Sequence, residues 1–141
     1  MKKLGLFFIT LLLIASCTLE PDETVPFHIE FLEVESVVIP ETVTPGNIYE
    51  ITVTYRKPTD CHYFDGFYYE ANGSERVVAP QAIVIEDAEC LPLTDEEPEE
   101  ASFDFECKTS YTESSYHFKF YSGEDANGNQ TYIEREVQVM Q

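Results

Sequence analysis

"CHYFDGFYYEANGSERVVAPQAIVIE", residues 61–86, reads as two β-strands and the turn between them. Asn72-Gly73 is a strong signal for a two-residue hairpin, because both central positions of such a turn take φ > 0. Strands are therefore expected over 61–70 and 74–86. Asp65-Gly66 interrupts the alternation of the first strand. As a second tight turn it would leave very short arms. As a β-bulge it inserts one residue, flips the register and leaves a longer strand to pair through Asn72-Gly73. The bulge reading places Phe64, Phe67 and Tyr69 on the core face and Tyr63 and Tyr68 on the other. Six of the ten residues 61–70 carry rings. Sheet packing accounts for most of them, and Tyr63 and Tyr68 are the pair left to face a ligand.

The same period of two runs through the rest of the chain. In "YEITVTY" Ile51, Val53 and Tyr55 share a face, and in "SFDFEC" so do Phe103, Phe105 and Cys107. "YHFKFY" sets Tyr116, Phe118 and Phe120 against His117 and Lys119. "YIEREVQVM" sets Ile133, Val137 and Val139 against Glu134, Glu136 and Gln138. Turns are expected at "TPGN" (44–47) and in "GEDANGNQ" (123–130). Strands then fall near 29–39, 48–57, 61–70, 74–86, 101–109, 114–122 and 130–140. Strands with one apolar and one wet face form antiparallel sheets packed on one side. About seven of them in a single domain imply an all-β fold, an Ig-like antiparallel β-sandwich. The chain has no Trp, so the expectation is sandwich architecture rather than immunoglobulin kinship.

The N-terminus reads as a targeting signal. Lys2 and Lys3 precede an apolar run of 11 residues, Leu4 to Ile14. A bilayer-spanning helix needs ~20 residues, whereas this length suits a secretory leader. Leu13-Ile14-Ala15-Ser16-Cys17 resembles the bacterial lipobox, which implies lipidation at Cys17. The expected organisation is a lipoprotein signal peptide over 1–16, a lipidated cysteine and polar tether over 17–28, and the sandwich domain over 29–141. Two or three acyl chains hold a protein far more firmly than one, at ~0.8 kcal/mol per buried CH₂. The expected location is the cell envelope, at the outer membrane, facing the periplasm or the surface.

The chain carries 27 Asp and Glu against 8 Lys and Arg, a net charge of −19. That balance argues against nucleic acid as a partner, since such binding rests on neutralising phosphates. The densest stretch, "TDEEPEE" at 94–100, reads as an exposed loop.

Beyond Cys17 stand Cys61, Cys90 and Cys107. Loop entropy barely separates a Cys61–Cys90 bridge (roughly 3.6 kcal/mol) from Cys90–Cys107 (roughly 3.2). Placement favours the first: Cys61 follows a Pro-Thr-Asp turn, Cys90 precedes Leu91-Pro92, and Cys107 continues the inward face of Phe103 and Phe105. No metal site or cofactor is expected. Cys61 and His62 are neighbours on a strand and point to opposite faces, and no second ligand pair at zinc spacing follows. "DANGN" sets Asp125, Asn127 and Asn129 at alternate positions, but its glycine is misplaced for a calcium loop. No catalytic motif is present, His28, His62 and His117 are scattered, and the chain reads as a non-enzyme.

From "VVIPETVTPGNIYEITVTYRKPTDCH" through "ERVVAPQAIVIEDAEC" to "YHFKFYSGEDANGNQTYIEREVQV", the chain resembles small lipoproteins of the Bacteroidota, flavobacterial in type and mostly of unassigned function. The resemblance implies an Ig-like sandwich in the envelope and matches Cys61 and Cys90 as a pair. The functional expectation is a membrane-anchored binding or accessory module with a protein or glycan partner. A glycan binder would use exposed tyrosines clustered on one surface with polar neighbours, whereas a scaffold would scatter them.

Overall fold

The computed structural model describes residues 24–140. The expected leader, Cys17 and most of the expected tether lie outside the described residues. The described chain is an all-β sandwich of nine strands in two sheets, without a helix. The strands are β1 (Phe27–Phe31), β2 (Val34–Val38), β3 (Thr42–Val43), β4 (Ile48–Tyr55), β5 (His62–Asn72), β6 (Glu75–Ile85), β7 (Glu99–Glu106), β8 (Ser115–Glu124) and β9 (Gln130–Val139).

Nine strands replace the expected seven because the segment foreseen as one strand over 29–39 is divided and a short strand, β3, is added after it. β1 starts at Phe27, so Phe27 and His28 belong to the sheet and not to the tether. It pairs with β6 as far as Phe31↔Gln81, and Leu32 then extends the ladder with a bond from its N–H to the Pro80 carbonyl (2.8 Å). At Val34 the chain has crossed to the other sheet, where β2 pairs with β4. β3 returns to the first sheet beside β9. The smaller sheet has the order β2-β4-β7. In the larger sheet β5 covers one edge of β6, and β1 and β8 share the other edge in succession, followed by β9 and β3. Two pairings are parallel, β3 with β9 and β6 with β8, where the expectation was wholly antiparallel.

The core lies where the inner faces of the two sheets meet. Ile51, Val53, Tyr55 and Phe105 meet Val78, Tyr116, Phe118, Phe120 and Val137, all nearly sealed from solvent. The edge-to-face contacts of Phe105 with Tyr116 (4.9 Å) and Phe118 (5.1 Å) interlock the layers, in the geometry that ring quadrupoles favour. Cys107 is buried and free, with the Tyr116 hydroxyl 3.8 Å from its sulfur.

Cys61 and Cys90 form the disulfide. It ties the 86–98 connection, which runs from the larger sheet to the smaller, back to the start of β5. Backbone bonds from Asp60 N–H to the Leu91 carbonyl (3.0 Å) and from Leu93 N–H to the Pro58 carbonyl (3.1 Å) hold the same connection.

The β5–β6 hairpin carries both expected irregularities, one of them displaced. The bulge stands at Asp65-Gly66: Phe64 faces Ala82, Phe67 faces Pro80, and Gly66 takes φ +85°. Pro80 sits beside the bulge, where a strand tolerates a missing N–H. The turn falls one residue later than Asn72-Gly73. Asn72 pairs with Glu75, which leaves Gly73 and Ser74 as the loop. Only Gly73 has positive φ (57°), as a turn with glycine at its first central position requires.

Candidate functional site

Residues directly across a ladder share a face, so the register fixes what the outer surface of the larger sheet displays. β1 contributes Phe27, Ile29 and Phe31, opposite Ile85, Ile83 and Gln81 of β6. β5 contributes Tyr63 opposite Ile83 and Tyr68 opposite Ala79. Tyr121 of β8 faces Tyr132 of β9. Both tyrosines singled out from the sequence therefore stand on one surface, with Tyr63 57% exposed and Tyr68 half-buried.

The rings around Tyr68 form a row. Phe31 lies 5.3 Å from Tyr68 and 5.6 Å from Tyr121, and Tyr121 lies 6.5 Å from Tyr132. A shallow trough of about 390 Å³ follows this row, edged by Glu70, Glu75 and Gln130. The Tyr68 hydroxyl donates to Glu70 (2.6 Å) and the Tyr132 hydroxyl to Gln130 (2.6 Å). The bond to Glu70 holds the Tyr68 phenol above its ordinary pKa, and burial raises that of Tyr121. Hydroxyls, carboxylate and amide thus fringe a strip of ring faces, an arrangement able to stack a flat apolar surface while exchanging hydrogen bonds at its edge. A second depression of about 460 Å³ shares Phe31 and Tyr121 and reaches Arg56 and Lys57. Both cations there are engaged, Arg56 with Glu35 and the Glu96 carbonyl and Lys57 with Glu99.

Phe64, Phe67 and Tyr69 do share the inner side, and Phe67 packs against the edge of the core, but Phe64 and Tyr69 stay outside it. Phe67 is half-buried against Phe103 (5.0 Å), while Phe64 and Tyr69 remain 38% and 43% exposed. The smaller sheet has half as many strands as the larger, and β5, at the margin of the larger sheet, is left incompletely covered.

The histidines are less scattered than the sequence suggested. β1 and β5 both pair with Val84 from opposite edges of β6, which sets His28 and His62 on the same face at the same level, one on either side of Val84. The Glu30 carboxylate joins them, 2.7 Å from Nε2 of His28 and 3.2 Å from Nε2 of His62. His28 also meets Glu86 (3.0 Å), and the Glu30 bond leads in raising its pKa above the usual histidine value. Nδ1 of His62 stands 2.8 Å from the Thr59 hydroxyl. Thr59, His62 and Glu30 thus form a relay like that of a nucleophile, base and orienting acid. The Thr59 oxygen, however, accepts the Cys61 N–H (3.3 Å) in a local turn, and neither depression described above is lined by Thr59 or His62. This relay closes the turn before β5.

Among the described residues no group of three or more His, Cys, Asp or Glu side chains is arranged to hold a metal ion. Asp125 turns its carboxylate on its own loop, accepting the N–H groups of Asn127 (2.8 Å) and Asn129 (2.9 Å). Those bonds lower its pKa and make the segment a closed hairpin loop between β8 and β9.

The outer surface also holds residues that the sequence reading passed over: Phe27, Ile29, Phe31, Tyr121 and Tyr132. The unbroken "VVAPQAIVI" of β6 was the available signal, because apolar residues at both parities of a strand mean two faces that avoid water. The chain matches no family model, no curated protein and no solved structure.

Proposed function

We propose that the protein is a lipid-anchored binding or accessory module of a bacterial cell envelope, held through Cys17 and without catalysis of its own. Its contact surface is the outer face of the six-stranded sheet. One observation carries this reading. In a chain of net charge −19, the outer positions of β1, of β6 from Ala79 to Ile85, and Tyr63 and Tyr68 of β5 carry no charged side chain, and charge begins only beside Val77, at Glu70 and Lys119. Contiguous apolar surface of this kind marks a site of contact. A photo-crosslinking residue at Tyr132 should give adducts in intact cells, and the same residue at Ser102, on the outer side of β7, should not. Equal yields at both would remove the assignment.

A second reading, a surface glycan binder, draws on the trough. Sugars present flat C–H faces and a rim of hydroxyls, and the row from Phe31 to Tyr132 offers rings with Glu70 and Gln130 beside them. A Tyr68→Ala, Tyr132→Ala variant that keeps its fold should lose retention on a polysaccharide that retains the parent. Retention of both, or of neither, counts against this reading.

A further inference from the structure

We infer that the half of the outer face nearest the start of the described chain lies against a lipid bilayer. This rests on the anchored reading above and names the partner of one part of that surface. Phe27, Ile29 and Tyr63 are 56%, 45% and 57% exposed, and Ile83 and Ile85 lie beside them, half-buried. Val25, just before β1, is 57% exposed as well. No charge interrupts this group. The margins are charged: Asp65 in the bulge at one side, and Glu70 and Glu75 where the trough begins.

The position of the chain's entry selects the occupant. Phe27 opens β1 and follows Cys17 by ten residues, and ten extended residues span at most ~35 Å. An anchor at Cys17 thus holds this edge of the sheet close to the membrane. The side chains found there suit the contact, since aliphatic and Phe side chains enter the acyl boundary while Tyr sits at headgroup level. A second copy of the chain is disfavoured, because face-to-face packing would bury the carboxylates of Asp65 and Glu70 against a face whose cation, Lys119, is already paired with Glu75. A zwitterionic lipid surface imposes no such burial. Contact ends where the carboxylates begin, and the trough stays in water.

The chain has no Trp, so a single introduced Trp reports alone. Lipidated full-length protein is reconstituted into vesicles of brominated phosphatidylcholine, with Cys17 modification checked by mass spectrometry. Tyr63→Trp should lose most of its emission to the bromine, and Ser102→Trp should keep its emission. Adding Phe27→Asp and Ile29→Asp to Tyr63→Trp should restore emission without releasing protein from the vesicles. If Cys17 is lipidated but Tyr63→Trp stays bright, the docking is overturned and the anchor stands. If Cys17 carries no lipid, both fall. A spectral change that follows protein concentration instead of brominated lipid assigns the face to a second copy and overturns the docking too.

Discussion

Two rows of rings lie on opposite faces of the larger sheet. The inner row, Tyr116, Phe118 and Phe120, has at most 1% of its surface exposed. The outer row, Phe31, Tyr68, Tyr121 and Tyr132, is half-buried throughout. The inner row runs along β8 and the outer row crosses from β5 through β1 and β8 to β9, yet both are built of Phe and Tyr with ring centroids 5.3–6.5 Å apart. What differs is the layer above. The smaller sheet seals one row, whereas among the described residues the other is covered only by itself. Aromatic content therefore does not separate core from contact surface here; the second sheet does.

The sharpest way to break the comparison is to truncate one ring in each row. Phe118→Ala should lower unfolding stability by roughly 3–5 kcal/mol, the usual cost of deleting a sealed Phe. Tyr121→Ala should cost ~1 kcal/mol, near the value of its ring contacts alone. Equal losses in chemical denaturation would show that the outer row is core in all but position. Next in size is the bridge. Cys61→Ser with Cys90→Ser should cost roughly 2–4 kcal/mol, because the 86–98 connection would lose its one covalent tie and keep only hydrogen bonds, among them those to residues 58–60 and from Arg56 to the Glu96 carbonyl. Phe67 tests the uncovered margin between the two rows. Its half-buried ring predicts a loss for Phe67→Ala below that of Phe118→Ala, and a loss as large would mean that β5 is as well covered as β8.

The smallest effect concerns the His28–Glu30 contact at the far end of the sheet. The folded state raises the His28 pKa and lowers that of Glu30, each chiefly through the other. For His28 the stabilisation is fully present below the ordinary histidine value of 6.5 and is lost as pH rises through the raised one. For Glu30 it is present above the ordinary carboxylate value and is lost as pH falls through the lowered one. Stability should thus dip gently on both sides of mildly acidic pH. Glu30→Gln should flatten the alkaline dip in melts recorded from pH 5 to 9, and an unchanged profile would dismiss the contact as a contributor.

The sandwich was legible because period-two alternation is a local signal that the sheets then honour. Ile51, Val53, Phe105, Phe118 and Val137 all point inward as their strands implied. The bulge was legible as well, since Asp-Gly inside an aromatic strand has few other uses. The division of 29–39 was not, because Leu32 and Glu33 carry no turn residue and the crossing is imposed by pairing with β6 and β4. The link of His28 to His62 through Glu30 depends on their common opposition to Val84, which no short window contains. The hairpin loop shifted by one residue because Gly73 satisfies two turn types and the ladder register chooses between them.

The short pairing of β3 with β9 also governs when the fold can close. Thr42 needs Gln138 as its neighbour, and Phe27 needs Ile85. The β5–β6 and β8–β9 hairpins, by contrast, join strands close in sequence. Loop-closure entropy makes distant pairings late and slow. A chain synthesised from its N-terminus therefore holds β1 and β3 without partners until β6 and then β9 have emerged. Hydrogen-exchange labelling during refolding should find the amides of the two hairpins protected before those of β3, so the strands made first are among the last to be secured.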